Sequence, residues 1–379
     1  MRSSTLGVSV SVMRCAAVMS MISASNSYVS AMFTYSPFRP TLHILLLFTA
    51  ISLCCLVILR EFNSLRYFSL FSLSGPPPVS PFLPSLADED DLSPDANDEY
   101  GLDKVLQDAA TEDKTVILTT LNEAWASPNS VIDLFLQSFR IGNRTHQLLN
   151  HLVIIALDKK AFSRCLDIHV HCFALVTEGV DFHSEAHFMS PDYLKMMWRR
   201  IDFLRIVLEM GYNFVFTDAD VMWFRDPFPF FDINADFQIA CDQYLGIPDD
   251  LDNRPNGGFT YVKSNNRSIE FYKYWYSARE SYPGYHDQDV LNRIKYDFFI
   301  DEIGLKIRFL DTAYFGGFCE PSKDMNRVLT MHANCCIGMD SKLHDLRIML
   351  EDWKHYMSTP PYLKPLSISS WRVPQNCSI

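Results

Sequence analysis

The chain has 379 residues, of which 48% are hydrophobic and 13% aromatic, and its formal net charge at pH 7 is -12. That content is enough to bury a sizeable core, in two domains or in one α/β domain with appendages. The acidic balance, with no dominating basic surface, excludes nucleic acid as a natural partner and leaves anions to a metal and a few local Lys or Arg side chains.

Residues 1–41 are rich in Ser and Met, and their only charges are Arg2, Arg14 and Arg39. Leu42–Leu59, LHILLLFTAISLCCLVIL, carries no formal charge. At about 1.5 Å per residue it spans roughly 27 Å, close to the hydrocarbon core of a bilayer. Arg60-Glu61 follows at once with no small-residue cleavage site. The run therefore reads as an uncleaved signal anchor, with the basic side cytoplasmic and the bulk of the chain across the membrane. A buried core helix, or a transit peptide in residues 1–30, are the competing readings.

Residues 60–110 hold Pro76-Pro77-Pro78 and the acidic run Asp88-Glu89-Asp90-Asp91. This composition reads as an extended, solvated stem. Anchor, stem and globular part in that order are the layout of a single-pass type II protein of the Golgi membrane, with the globular part lumenal. Sequons at Asn143, Asn266 and Asn376 add minor support. Of the ten cysteines, Cys165, Cys172, Cys241, Cys319, Cys335, Cys336 and Cys377 would be free to form disulfides in a lumen, with one left over.

From residue 111 the pattern alternates between strand and helix, and the catalytic domain is read as 111–358 with a Pro-rich tail at 359–379. Strands are expected at Val116–Thr119 and Leu152–Leu157, and a helix at Val131–Ile141. Ser190-Pro191 starts a helix, with Ser as cap and Pro in the first turn, which stops at Gly211. The strand Phe214–Phe216 then runs into Thr217-Asp218-Ala219-Asp220. This βαβαβ order implies a Rossmann-like sheet with parallel strands. Later expectations are strands at Phe237–Ala240, Gly258–Val262, Ile307–Leu310 and Val328–His332. Helices are expected at Ile269–Arg279, Val290–Tyr296 and Ser341–Tyr356.

Asp-x-Asp is a weak signal by itself, and it occurs four times here, at 88/90, 218/220, 250/252 and 287/289. The 218/220 pair differs in following a buried strand. Ligands bind at the carboxyl ends of strands in open α/β sheets, and two carboxylates beside apolar walls call for a cation. The pair is read as a site for a hard divalent metal that in turn holds a diphosphate.

The stretch Phe216–Pro227, FTDADVMWFRDP, resembles the signature of the plant nucleotide-diphospho-sugar transferases of glycosyltransferase family 77. Asn256-Gly257-Gly258-Phe259, His286–Asn292 (HDQDVLN) and Met331–Cys336 (MHANCC) are similar to that family too, in its order. The resemblance covers roughly residues 115–356. It implies an α/β, GT-A-like, Rossmann-type mixed sheet flanked by helices, and transfer of a pentose or hexose from a UDP-sugar to a cell-wall glycan or a glycoprotein, with retention. It implies that Asp218, Asp220 and His332 hold Mn²⁺ or Mg²⁺, a mixed carboxylate and imidazole set suiting Mn²⁺.

In the same way it implies that Asp287 and Gln288 lie beside the donor sugar and that Lys342 contacts the diphosphate. Asp289 is the further carboxylate for a transient nucleophile. Arg199 and Arg200 are additional phosphate candidates. Thr119, Thr120 and Asn122, at the end of the first strand, are placed for uridine and ribose. Asn256-Gly257-Gly258 supplies a loop whose backbone can approach a ligand closely. A non-catalytic sugar-binding relative acting as a partner subunit, and a metal-dependent phosphohydrolase, are the other classes open. Homo- or hetero-oligomers fit either reading.

Overall fold

A computed structural model describes residues 94–175, 189–364 and 370–377. The expected cytoplasmic tail, the anchor at Leu42–Leu59 and the stem up to residue 93 lie outside the described residues. Among the described residues, no helix is long and apolar enough to cross a membrane.

The elements in chain order are α1 (Pro94–Ala109), β1 (Thr115–Leu121), α2 (Glu123–Ala126), α3 (Val131–Ile141), β2 (Leu152–Ala156), α4 (Lys159–Ile168) and β3 (Cys172–Ala174). Next come α5 (Pro191–Glu209), β4 (Asn213–Thr217), β5 (Val221–Trp223), β6 (Phe237–Gln243), β7 (Arg254–Val262), α6 (Asn266–Ala278) and α7 (Asp287–Ile294). The last are α8 (Phe298–Glu302), β8 (Ile307–Phe309), β9 (Phe315–Gly317), β10 (Thr330–His332) and α9 (Met339–Ser358).

Seven strands form one sheet in the order β3-β2-β1-β4-β7-β6-β8. Strands β3, β2, β1 and β4 are mutually parallel, and β7 pairs antiparallel with both β4 and β6. Since β8 is parallel to β6, β7 is the one reversed strand in a sheet otherwise of one direction. A smaller sheet, β5-β10-β9, leans on the first.

Period-two alternation divides the core into two layers. On β1, Ile117 and Leu121 face the cluster built with α3, α4 and α9, where Phe135, Phe139, Trp223 and Trp353 are buried. Val116 and Leu118 face the opposite cluster, built with α1, α5, α6 and α7 around Leu204, Phe216, Tyr272 and Trp275. Helix α5 begins as expected: the Ser190 side chain accepts from Tyr193 N–H, with Pro191 in the first turn.

Two expectations are corrected here, and the tail, whose packing was left open, is found anchored at its end. The last part of the segment read as stem is helix α1, and Leu102, Leu106 and Ala109 are buried in the second layer. An apolar stripe at i, i+4 and i+7 packs one face of the helix while Asp103 and Asp108 stay exposed, so the acidic composition of the window misled. The end of the Pro-rich tail is also anchored. Val373 and Cys377 are buried, Cys377 pairs with Cys336, and Asp345 accepts from the backbone N–H groups of Gln375, Asn376 and Cys377. Finally, Asn256-Gly257-Gly258 is not a loop but part of β7, at a bulge where the pairing with β6 jumps from Ile239–Thr260 to Ala240–Asn256. Glycines inside a strand often mark such a bulge.

Two more disulfides, Cys165–Cys172 and Cys319–Cys335, leave Cys241 as the free cysteine among the described residues, buried near the end of β6. The sequence left this pairing open.

Candidate metal centre

The site is assembled by backbone register. As β4 ends, Asp218 N–H donates to Gly258 O of the reversed strand at 2.7 Å, and Val221 N–H returns to Asp218 O at 3.1 Å. This turn carries Asp218-Ala219-Asp220 out at the carboxyl rim and leads into β5. Strand β5 pairs with β10 so that Val221 lies opposite His332, and Ala333 N–H donates to Asp220 O at 3.0 Å. Two residues more than a hundred positions apart thus become neighbours through three-residue strands.

One ligand atom each of Asp218, Asp220 and His332 lies within 4.8 Å of the others. His332 Nε2 is 3.1 Å from Asp220 Oδ1 and 3.9 Å from Asp218 Oδ2. Asp220 is almost fully buried, yet its Oδ1 has no aligned hydrogen bond. The other ring nitrogen, Nδ1, lies 3.0 Å from Asn256 Oδ1, so a neutral His332 turns the lone pair of Nε2 toward Asp220. Two lone pairs face each other across 3.1 Å, an arrangement that needs a proton or a cation between them. The residues fit a divalent ion: an orphaned carboxylate oxygen, a second carboxylate and an imidazole, a donor set suited to Mn²⁺. Gly258 keeps the space clear, since a Cβ there would come within 2.4 Å of His332 Cε1 and 2.7 Å of Asp218 Oδ2.

The two carboxylates are electrostatically unlike. Burial pushes the Asp218 carboxyl above its ordinary range, against the pull of Arg200. Burial acts on Asp220 too, but the charges of Lys342 and His332 outweigh it and hold that carboxyl well below the usual range. Burial would lower the His332 imidazole, and Asp220 and Asp218 overcome it and raise it. Lys342, expected to touch a diphosphate, sits in the cluster with Nζ 2.5 Å from Asp220 Oδ2 and stacked over the Trp125 ring.

Arg200, the other cation, is buried on α5. It donates to Asp218 Oδ1 at 3.0 Å and to Asp287 Oδ2 at 2.5 Å, with its guanidinium over the Phe216 ring. Two of its nitrogens are thus engaged with carboxylates. Asp287 opens α7, where a carboxylate is favoured by the helix dipole. Trp275 Nε1 holds its backbone carbonyl at 2.9 Å. Burial raises the Asp287 carboxyl, but Arg200 and His286 bring it down to about 2. Tyr272 and Trp275 beside it are core.

Next to Asp287, Gln288 has both ends of its amide engaged. Its Oε1 accepts from Gly257 N–H at 3.0 Å, and its Nε2 donates to Asp242 Oδ2 at 2.9 Å. Asp242 also receives Asn256 Nδ2 and Asn334 Nδ2 on Oδ1, both at 2.8 Å. Asp242 was missed in the sequence. The signal that would have found it is position alone, a carboxylate at the carboxyl end of β6, the same rim as Asp218.

Other expected residues are not in this group. Arg199 pairs with Asp202 on its own helix. Thr119 lies on the face of β1 shared by Ile117 and Leu121 and is fully buried, its Oγ1 without a hydrogen-bond partner. Thr120 is on the opposite face, partly exposed, and Asn122 caps α2 by accepting from Trp125 N–H. The Asp289 carboxylate pairs with His286, Oδ2 to Nε2 at 3.4 Å. A cavity of about 440 Å³ exists elsewhere, lined by Asp232, Lys295, Tyr296 and Arg308 among others and by none of the cluster. Its Arg308 is paired with Asp232 and Asp249.

Two carboxylates and an imidazole at a sheet's carboxyl rim form a candidate site for a metal cation. Residues 147–346 match the family model described as nucleotide-diphospho-sugar transferase, and the chain belongs to that family. An uncharacterized Arabidopsis thaliana protein, At4g15970, is 54% identical over 277 residues, which is 73% of each chain. The Arabidopsis thaliana UDP-D-xylose:L-fucose alpha-1,3-D-xylosyltransferase 3 is 24% identical over 214 residues, 49% of this chain and 55% of that protein. Among solved structures, the galactosyltransferase LgtC in complex with donor and acceptor sugar analogs covers 66% of this chain and 99% of its own, at 12% identity and a TM-score of 0.39. That likeness is too loose to argue from.

Proposed function

We propose that the chain is a metal-dependent glycosyltransferase of GT-A-like architecture. It moves a pentose or hexose from a UDP-sugar to a cell-wall glycan or glycoprotein, with retention at the anomeric carbon. The observation that carries this reading is the Asp218–Asp220–His332 cluster with its orphaned carboxylate oxygen, set beside the Arg200–Asp287 pair. Bound there, Mn²⁺ or Mg²⁺ would supply Lewis-acid stabilisation of charge on the departing diphosphate.

The chain's own residues do the rest. Lys342 sets its positive charge against Asp220 and would exchange that carboxylate for a phosphate oxygen. Arg200 holds Asp218 and Asp287 in a fixed relation. Asp287, kept ionised, and Gln288, with its amide immobilised, face the donor sugar, one for hydroxyls and one near the anomeric carbon. Relatives named for transfer from UDP-D-xylose and for β-arabinofuranosyl transfer, at 24% and 25% identity, support a pentose donor.

Location belongs to the same proposal. Leu42–Leu59 would anchor the protein as a type II protein of the Golgi membrane, with the catalytic domain lumenal. Three disulfides suit such an oxidising compartment. The test is turnover of UDP-xylose, UDP-arabinofuranose and UDP-galactose by the full chain with Mn²⁺. Transfer or donor hydrolysis should appear with one of them and vanish in EDTA and in Asp218→Ala. Undiminished turnover in EDTA refutes the metal, and metal-dependent UDP binding without any turnover points to a binding subunit.

A further inference from the structure

Asp242 is the point on which amides from three separate segments meet. Asn256 Nδ2 and Asn334 Nδ2 donate to its Oδ1 at 2.8 Å, and Gln288 Nε2 donates to its Oδ2 at 2.9 Å. An ionised carboxylate only accepts, so each amide must turn its NH₂ toward Asp242 and its carbonyl oxygen away. The far sides are all engaged. Asn256 Oδ1 receives Gly258 N–H at 2.9 Å and lies 3.0 Å from His332 Nδ1. Gln288 Oε1 receives Gly257 N–H at 3.0 Å, and Asn334 Oδ1 receives Cys319 N–H at 3.1 Å. An oxygen facing Nδ1 requires a proton there, which leaves the lone pair of the neutral ring on Nε2, the nitrogen nearest Asp218 and Asp220.

We infer that Asp242 is a positioning residue for both halves of the site. Through Asn256 it selects the His332 tautomer whose Nε2 can coordinate a cation, and through Gln288 it fixes the amide on the sugar side. The inference rests on the proposed metal-dependent transfer. It extends the usual pattern, in which a ligating histidine donates its other N–H to an outer partner, by one amide to a carboxylate that governs three groups at once. The backbone is arranged to keep it so. A Cβ on Gly317 would come within 2.4 Å of Asn334 Oδ1, and the Cys319–Cys335 bridge closes the loop that carries Asn334.

Asp242→Asn keeps the shape and reverses one polarity. Its new NH₂ faces either Gln288 or the two asparagines, and an amide that turns over to meet it points its own NH₂ at a backbone N–H. If Asn256 turns, His332 Nδ1 becomes an acceptor and its proton moves to Nε2, against Asp220. The experiment compares the full chain with D242N by thermal midpoint, by ¹⁵N NMR of the His332 tautomer at alkaline pH where the ring is neutral, and by Mn²⁺ affinity in the presence of UDP.

D242N should melt within a few degrees of wild type and lose the Nδ1–H form of His332. It should bind Mn²⁺ about 10- to 100-fold more weakly, and kcat should stay reduced when Mn²⁺ is saturating. An unchanged tautomer with unchanged Mn²⁺ affinity overturns the inference, as does a fall in melting temperature with both intact. Should D242N fail to fold, Asn256→Ala cuts the link and leaves Asp242 in place. It must then show the same change of tautomer, and an unchanged tautomer overturns the inference. If wild type binds no Mn²⁺, the metal reading fails on its own terms, and the tautomer comparison still decides whether Asp242 sets His332.

Discussion

Two buried carboxylates in this protein, Asp220 and Asp345, are satisfied in opposite ways. Asp345 sits on α9 and accepts from three consecutive backbone N–H groups at the chain's end, at 2.8 to 3.1 Å, and from His344. Its acceptors are filled by groups that cannot leave without unfolding the tail. Asp220 is held by Lys342 on Oδ2, while its Oδ1 faces His332 Nε2 at 3.1 Å without an aligned hydrogen bond. The first arrangement buys rigidity. The second leaves a charge that a ligand can claim, at a cost that the Lys342 cation beside it offsets. Both carboxylates are almost without solvent exposure, and they differ in what fills their lone pairs.

The contrast can be broken most forcefully at Arg200. Arg200→Met leaves Asp287 buried without its cation, which costs about 3–5 kcal/mol, and urea unfolding should show the loss. Wild-type stability would mean that the pair is not needed to keep Asp287 charged. Asp345→Ala comes next. It strands the Gln375–Cys377 N–H groups and should cost about 2–3 kcal/mol while leaving metal-dependent UDP binding at the wild-type level. Loss of that binding with stability intact would reverse the roles assigned to the two carboxylates.

A pH series separates the sites more gently. Burial raises the Asp345 carboxyl, but the backbone N–H groups and His344 hold it below its ordinary value. A group depressed on folding contributes stability above its unfolded pKa, near 4, and loses it as pH falls through the lower folded value. Unfolding free energy should therefore decline in acid, less steeply in Asp345→Asn. Equal slopes would remove Asp345 from the account. The smallest effect is expected of Lys342→Met, about a tenfold loss in UDP affinity, roughly 1.4 kcal/mol, read by calorimetry. No loss would make Lys342 a structural counter-ion.

Much of this geometry was legible beforehand, for physical reasons. The strand into Asp218 shows itself because an apolar run must be buried and its carboxylates cannot be. Helix α5 shows its start through Ser190 and Pro191. The convergence of His332 on Asp220 was an expectation from resemblance, and no periodicity reveals it, because it depends on the pairing of two three-residue strands. Asp242 had only its place at the end of β6 to mark it, since it belongs to no motif and its partners are amides from 256, 288 and 334. The helix at Pro94–Ala109 was hidden by its acids, and Asn256-Gly257-Gly258 looked like a loop because two glycines mark a bulge as readily as a turn.

The central claim is that Asp218, Asp220 and His332 hold a divalent ion that recruits a nucleoside diphosphate. Titration of UDP into the full chain by calorimetry, with Mn²⁺ and then with EDTA, tests it most directly, with Asp220→Ala alongside. UDP should bind with Mn²⁺ and lose at least about a hundredfold in affinity without it, and Asp220→Ala should match the EDTA result at unchanged melting temperature. Equal UDP affinity in Mn²⁺, in EDTA and in Asp220→Ala would contradict the claim.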